Sequence, residues 1–126
     1  MTGALLLAMT ELGIAAPPAK PTETVLVTHR VRAGQDAEYA KLLARQWTTL
    51  RRLDLVLPKP HVILRGTDES GKTIFVEVLT WRDADAPDNA PAEVQAIWNE
   101  LEARAEKRLG HPGIDFPEFE IVSAGD

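Results

Sequence analysis

From Thr24 to Val122 the hydrophobic residues repeat with a period of two, then of about three and a half, then two, two, about three and a half, and two again. Side chains alternate across a strand and return to one side of a helix every three or four residues, so this reads strand, helix, strand, strand, helix, strand. That order is the split βαβ repeat of a ferredoxin-like α+β domain, a four-stranded antiparallel sheet with both helices on one face. Such a layer leaves its other face uncovered. The sequence makes that second face substantially apolar, so another surface has to lie against it.

The individual segments carry their own signals. Thr24–Arg32 alternates, with Val25, Val27, His29 and Val31 on one side and Leu26, Thr28 and Arg30 on the other. Ala33 to Asp36 turns the chain, with Asp36 as N-cap, and a helix runs to about Leu53 with Tyr39, Leu42, Leu43, Trp47, Leu50 and Leu53 on its apolar stripe. Pro58 and Pro60 forbid helix between Asp54 and Pro60, and His61–Gly66 is the next strand. The polar run Thr67–Lys72, with Gly71 near its end, is a hairpin loop leading back into Thr73–Arg82. A loop follows over Asp83–Pro91, then a second helix from Pro91 to Leu109 ending at Gly110. Its apolar stripe is Val94, Ile97, Trp98, Leu101, Ala105 and Leu109, and its charges from Glu100 to Arg108 belong to solvent. Ile114–Val122 supplies the last strand, in which Pro117 requires an edge or a bulge.

A hairpin register that pairs Gly66 with Ile74 puts Val62, Leu64, Ile74, Val76, Val78 and Thr80 on one face. His61, Ile63, Arg65, Phe75, Glu77, Leu79 and Trp81 take the other. The first set suits the helix-covered face. The second mixes large apolar with ionisable groups, as a lined cavity or a partner interface would.

Composition removes whole classes of function. With no cysteine, disulfides, thiolate metal sites and cysteine nucleophiles are excluded. A formal net charge of −5 argues against a phosphate-backbone binder, and the local cluster Arg45, Arg51 and Arg52 reads as a solvated helix face. No nucleic-acid partner is expected.

Residues 1–23 differ in character from the domain at 24–122 and the short tail at 123–126. Gly3–Ala16 is apolar but too short, and too interrupted by Glu11, to span a bilayer, and Pro17, Pro18 and Pro21 then break regular structure. The stretch resembles the hydrophobic and cleavage portions of a secretory signal ending at Ala16, without the positively charged start, since no Lys or Arg precedes Lys20. Three readings stay open: a signal-peptide remnant, a mobile arm, or an extra helix packed on a neighbour. The first makes the protein periplasmic or secreted, and the default otherwise is cytoplasmic.

Two stretches, VTHRVRAGQDAEYAKLL (Val27–Leu43) and FVEVLTWRDADA (Phe75–Ala86), give the chain over residues 24–122 a likeness to a known family. It resembles the dimeric α+β barrel superfamily and, within it, the antibiotic-biosynthesis-monooxygenase-like group. In that group a strand commonly ends in an aromatic residue before a short polar stretch and the second helix, and Trp81 fits that place. The resemblance implies a homodimer whose sheets meet face to face and a pocket between sheet and helices in each subunit. It implies no bound cofactor, since cofactor-independent oxygenases of the group hold a substrate anion of an electron-rich aromatic in an apolar pocket. Haem-degrading relatives use a first-strand asparagine and a second-helix histidine. Both are missing here, which argues against haem degradation.

The candidate pocket residues are His29, Arg65, Glu77, Trp81 and Trp98. His29 lies among valines, where its pKa could be tuned for proton transfer, and a hydrogen-bonded structural role is its plainer reading. Arg65 and Glu77 share a face of adjacent strands, either as a structural ion pair or as the polar end of a pocket walled by Phe75, Trp81 and Trp98. His111 sits in a proline-glycine turn at the surface. No H-x-x-H or H-x-E spacing points to a metal, no nucleophile elbow surrounds Ser70 or Ser123, and Gly34, Gly66 and Gly71 are isolated turn residues, not a phosphate loop. Two functional classes follow: a small-molecule-pocket protein, with cofactor-independent oxygenation as its chemistry, or a non-catalytic dimeric barrel acting as a binding or accessory module.

Overall fold

The computed structural model describes residues 20–125; the leader or arm expected over residues 1–23 lies largely outside that range. The elements are β1 (Glu23–Arg30), α1 (Asp36–Arg52), β2 (Val62–Thr67), β3 (Thr73–Trp81), α2 (Ala92–Ala103), β4 (Ile114–Asp115) and β5 (Glu118–Phe119). The sheet is antiparallel in the order β2-β3-β1-β4, with β5 also pairing β1. This is the α+β architecture that the periodicity predicts. The final strand is split into two short pieces around Pro117, whose carbonyl accepts from Leu26 N–H at 3.2 Å while its own nitrogen has nothing to donate.

The hairpin register pairs Gly66 with Ile74, as expected. Asp68 closes the loop by accepting from Ser70 N–H at 2.9 Å, and Gly71 takes φ 80°, a backbone setting that residues with a Cβ avoid.

The two faces are exchanged relative to the expectation. Phe75, Glu77, Leu79 and Trp81 lie buried beneath the helices with Val25 and His29 of β1 and with Val31 just after it, while Val62 and Leu64 stand 44% and 58% exposed on the open side. Two clusters fill the space under the helices. Leu50, Leu55, Val56 and Val94 pack on Leu79 and Trp81, and Tyr39, Leu42, Leu43, Ile97 and Leu101 pack on Phe75 and Val31. Each fully buried leucine there contributes about 2–3 kcal/mol of apolar transfer. The bulkiest side chains therefore went under the helices, where the most surface can be removed from water, and the β-branched alternation went outside.

Two helix boundaries also differ. Asp36 is the first helical residue and not the cap: its carboxylate accepts from Thr73 Oγ1 at 2.7 Å and Arg65 at 2.8 Å, tying the helix start to the hairpin. α2 stops at Ala103, six residues before the expected end at Leu109, because Arg104 to Glu106 lie along the end of β1. There Arg32 N–H donates to Arg104 at 2.9 Å and Glu106 N–H to Arg30 at 2.8 Å. Ala105 is thus buried by bridging Val31, while Leu109 is exposed. Arg108, expected on a solvated helix face, is buried. Its guanidinium donates to the carbonyls of Val31 and Thr73 at 2.8 and 2.7 Å and to Asp68 at 2.8 Å. A Cβ on Gly113 would meet Ala105 Cβ and Glu106 N at 3.0 Å, so that close approach favours a glycine.

Candidate functional site

A cavity of about 720 Å³ opens between the sheet and the helices on the covered face. Its floor is strand: Val25, Val27 and His29 of β1 beside Glu77, Leu79 and Trp81 of β3. Gln46 and Trp98 reach it from the two helices, Ile114 and Phe116 from the edge, and Ala84, Asp85, Pro87 and Asp88 from the loop after β3. That loop is anchored at Ala86 and Ala90, both buried, and turned by an Asp83 carboxylate that accepts from Asp85 N–H at 2.9 Å.

A chain of hydrogen-bonding groups runs along this space. The Trp98 indole N–H donates to Gln46 Oε1 at 2.7 Å, and the Gln46 amide donates to both Glu77 oxygens at 3.2 and 3.1 Å. Glu77 Oε1 lies 3.4 Å from His29 Nε2, and His29 Nδ1 lies 2.6 Å from Tyr39 Oη. Burial acts to raise the Glu77 pKa. The two imidazoles beside it, His29 and His61, and the Gln46 amide outweigh that effect and hold the carboxyl below the usual glutamate range. Tyr39 is pushed the other way, by burial first and then by the charges of Glu77 and Glu102, so it stays a neutral phenol. A phenol donating to Nδ1 leaves the Nε2–H of His29 facing the carboxylate, and each group of the chain then has a partner.

His61 closes the outer side of Glu77. Its ring stacks on Trp47 at 3.6 Å between centroids, with Arg51 over the other ring, and its Nε2 approaches Glu77 Oε2 at 3.5 Å without closing a hydrogen bond. On the cavity side Trp81 and Trp98 meet edge to face, 6.1 Å between centroids at 88°, forming an aromatic corner.

Of the five residues singled out from sequence, the structure brings His29, Glu77, Trp81 and Trp98 to this one cavity. Arg65 is elsewhere: it is exposed and pairs with Asp36 at 2.8 Å, not with Glu77. Tyr39 reads from sequence as plain core, and Gln46 does not stand out as a site residue. The signal was present, since Gln46 is a polar residue in the sheet-facing stripe between Leu43 and Leu50, and it is buried. Among the described residues no group of three or more His, Asp or Glu is arranged to hold a metal ion, and no helix is long and apolar enough to cross a membrane.

Comparison with known proteins places the fold. SnoaB, a cofactor-independent oxygenase from Streptomyces nogalater, superposes with a TM-score of 0.59 at 20% identity, covering 82% of this chain and 97% of that one. An antibiotic biosynthesis monooxygenase structure matches at 0.58 and 14% identity, over 80% and 99% of the two chains. A conserved protein from Methanosarcina mazei Go1 matches at 0.59 and 11% identity, over 78% and 90%. No protein-family model matches the chain, and no curated protein matches it in sequence. The chain therefore shares the ferredoxin-like α+β fold of the antibiotic-biosynthesis-monooxygenase structures.

Proposed function

We propose that the cavity is a binding site for a small aromatic molecule, and that its chemistry is the cofactor-independent oxygenation of an electron-rich ring. The observation that carries this reading is a cavity of about 720 Å³ that puts a Trp81–Trp98 corner beside an ionised, buried Glu77. That volume suits a molecule of two or three fused rings. The tryptophans would hold the ring by its edge and face, and the Glu77 carboxylate, already oriented by Gln46 and His29, would accept a hydrogen bond from a ligand hydroxyl or amine. The fold shared with SnoaB supports the oxygenase chemistry.

A second reading has its own support. Both nitrogens of His29 face protein partners, and so do both oxygens of Glu77, as a structural network in a non-catalytic binding module would have them. In both readings a second copy of the chain lies on the open face, where Val62 and Leu64 are exposed beside Ile74, Val76 and Val78.

Native mass spectrometry of the purified protein reports assembly and any retained molecule together. Oxygen uptake with dihydroxynaphthalenes then separates the readings. Uptake that is lost in Trp81→Ala while ligand-free stability falls only modestly supports the oxygenase. Retention of an aromatic molecule without oxygen uptake supports the binding module. A monomer that retains nothing and turns over nothing defeats both.

A further inference from the structure

The cavity has an electrical character that its apolar floor conceals. Its wall carries six carboxylates, Glu23, Glu77, Asp85, Asp88, Glu102 and Glu118, and among the described residues no lysine or arginine. Asp85 is offset by the Lys20 ammonium. Glu23, Asp88, Glu102 and Glu118 form no ion pair with any described residue.

Strand register explains where these charges sit. Glu23 lies directly across the ladder from Trp81, and Glu118 lies across from Val25, so the two glutamates are diagonal neighbours on the cavity side of the sheet. Burial first, then the neighbouring Glu118 and the charge of Asp88, push the Glu23 pKa up. At the inner end Glu77 is 1% exposed and ionised, its oxygens turned toward donors. Level with Glu23 at the outer end stands the Trp81–Trp98 corner, and an indole face attracts cations more strongly than any other side-chain ring.

We infer that the cavity selects an aromatic ligand bearing a protonated amine and rejects carboxylate- or phosphate-bearing ones. The inference rests on the reading of the cavity as a ligand site and names the charge of what enters it. An ammonium near Trp81 would relieve the repulsion between Glu23 and Glu118 while its ring fills the space over Val27 and Leu79. An anion would meet fields of its own sign at both ends of the cavity, concentrated by low-dielectric walls.

Calorimetric titration of the full chain near neutral pH with three probes of one shape tests this: 1-naphthylmethylamine, 1-naphthalenemethanol and 1-naphthoate. The expected order is amine, alcohol, naphthoate, with at least about a tenfold spread in Kd between the ends that shrinks in high salt. Glu23→Gln with Glu118→Gln should weaken the amine about fivefold and leave the alcohol unchanged. Val27→Trp, which fills the cavity floor, should abolish binding of amine and alcohol alike. Naphthoate binding as tightly as the amine, amine affinity unchanged by the double substitution, or amine binding surviving Val27→Trp would each overturn the charge selection while leaving the cavity's role to the alcohol result. Absence of binding by all three probes to folded protein would sink the cavity reading, and the inference with it.

Discussion

The two faces of the sheet differ in the kind of cover they require. The helix side combines the largest side chains with a buried carboxylate, two imidazoles and a glutamine, and needs partners that match shape and also satisfy hydrogen bonds. The open side offers Val62, Leu64, Ile74, Val76 and Val78, which need only to be kept from water. The first task is met within the chain by α1 and α2, because Gln46 and Tyr39 arrive on the same helical stripe as Leu42, Leu43 and Leu50. The second suits a flat, non-directional contact with another molecule. The lesson is that polar residues within a strand's apolar run mark the face covered by the chain's own elements as readily as they mark an interface.

Truncations test this contrast most severely. Leu79→Ala, beneath the helices, is expected to cost about 3–4 kcal/mol through lost burial and an unfilled cavity. Leu64→Ala on the open face should change the stability of a lone chain by no more than about 0.5 kcal/mol. Urea unfolding at two protein concentrations measures both. A concentration-dependent loss for Leu64→Ala would identify that face as an assembly surface, and Leu64→Lys should then yield monomers in sedimentation.

Next in size is the polar chain. Glu77→Leu keeps volume but strands the donors of His29 and Gln46, and is expected to cost about 2–3 kcal/mol. If Glu77→Leu is neutral in urea midpoint with an unchanged slope, the carboxylate is not a structural keystone, and its place at the cavity would owe more to ligand binding.

Acid sensitivity gives a smaller effect with a defined sign. Glu77 and Asp68 both have depressed pKa values in the folded state, Asp68 down to about 2 through its bonds with Ser70 above all and with Lys72 and Arg108. A depressed carboxyl contributes stability that is fully present above its unfolded pKa and is lost as pH falls through the folded one. Stability should therefore hold flat down to about pH 5 and decline from about pH 4 toward pH 2. Asp68→Asn should flatten that decline in pH-dependent thermal melts, and an unchanged slope would remove Asp68 from the account. Smallest of all is Arg65→Ala, which breaks an exposed pair with Asp36 and should cost about 0.5 kcal/mol or less.

Much of the layout was legible along the chain. Val25, Val27, His29 and Val31 announced a strand, and the Thr67–Lys72 loop with Gly71 set the register that pairs Gly66 with Ile74. His29, Glu77, Trp81 and Trp98 stood out because ionisable and aromatic groups interrupt regular apolar patterns. Arg65 stood out for the same reason and went elsewhere, since a long side chain on the edge strand reaches Asp36 at the helix start more easily than a buried glutamate. The end of α2 was not legible: the spacing of Leu101, Ala105 and Leu109 continues a helical period past Ala103, and nothing local records that β1 captures residues 104 to 106.

Periodicity settles which residues travel together, because backbone geometry alone makes neighbours alternate or wind, and it yielded here the element order, the register and the grouping of each face. Which face the helices chose, where Arg108 turned inward, and how Gln46 met Glu77 are consequences of packing between segments far apart in the chain. Those outcomes depend on volumes and hydrogen-bond partners that exist only once the layers have come together.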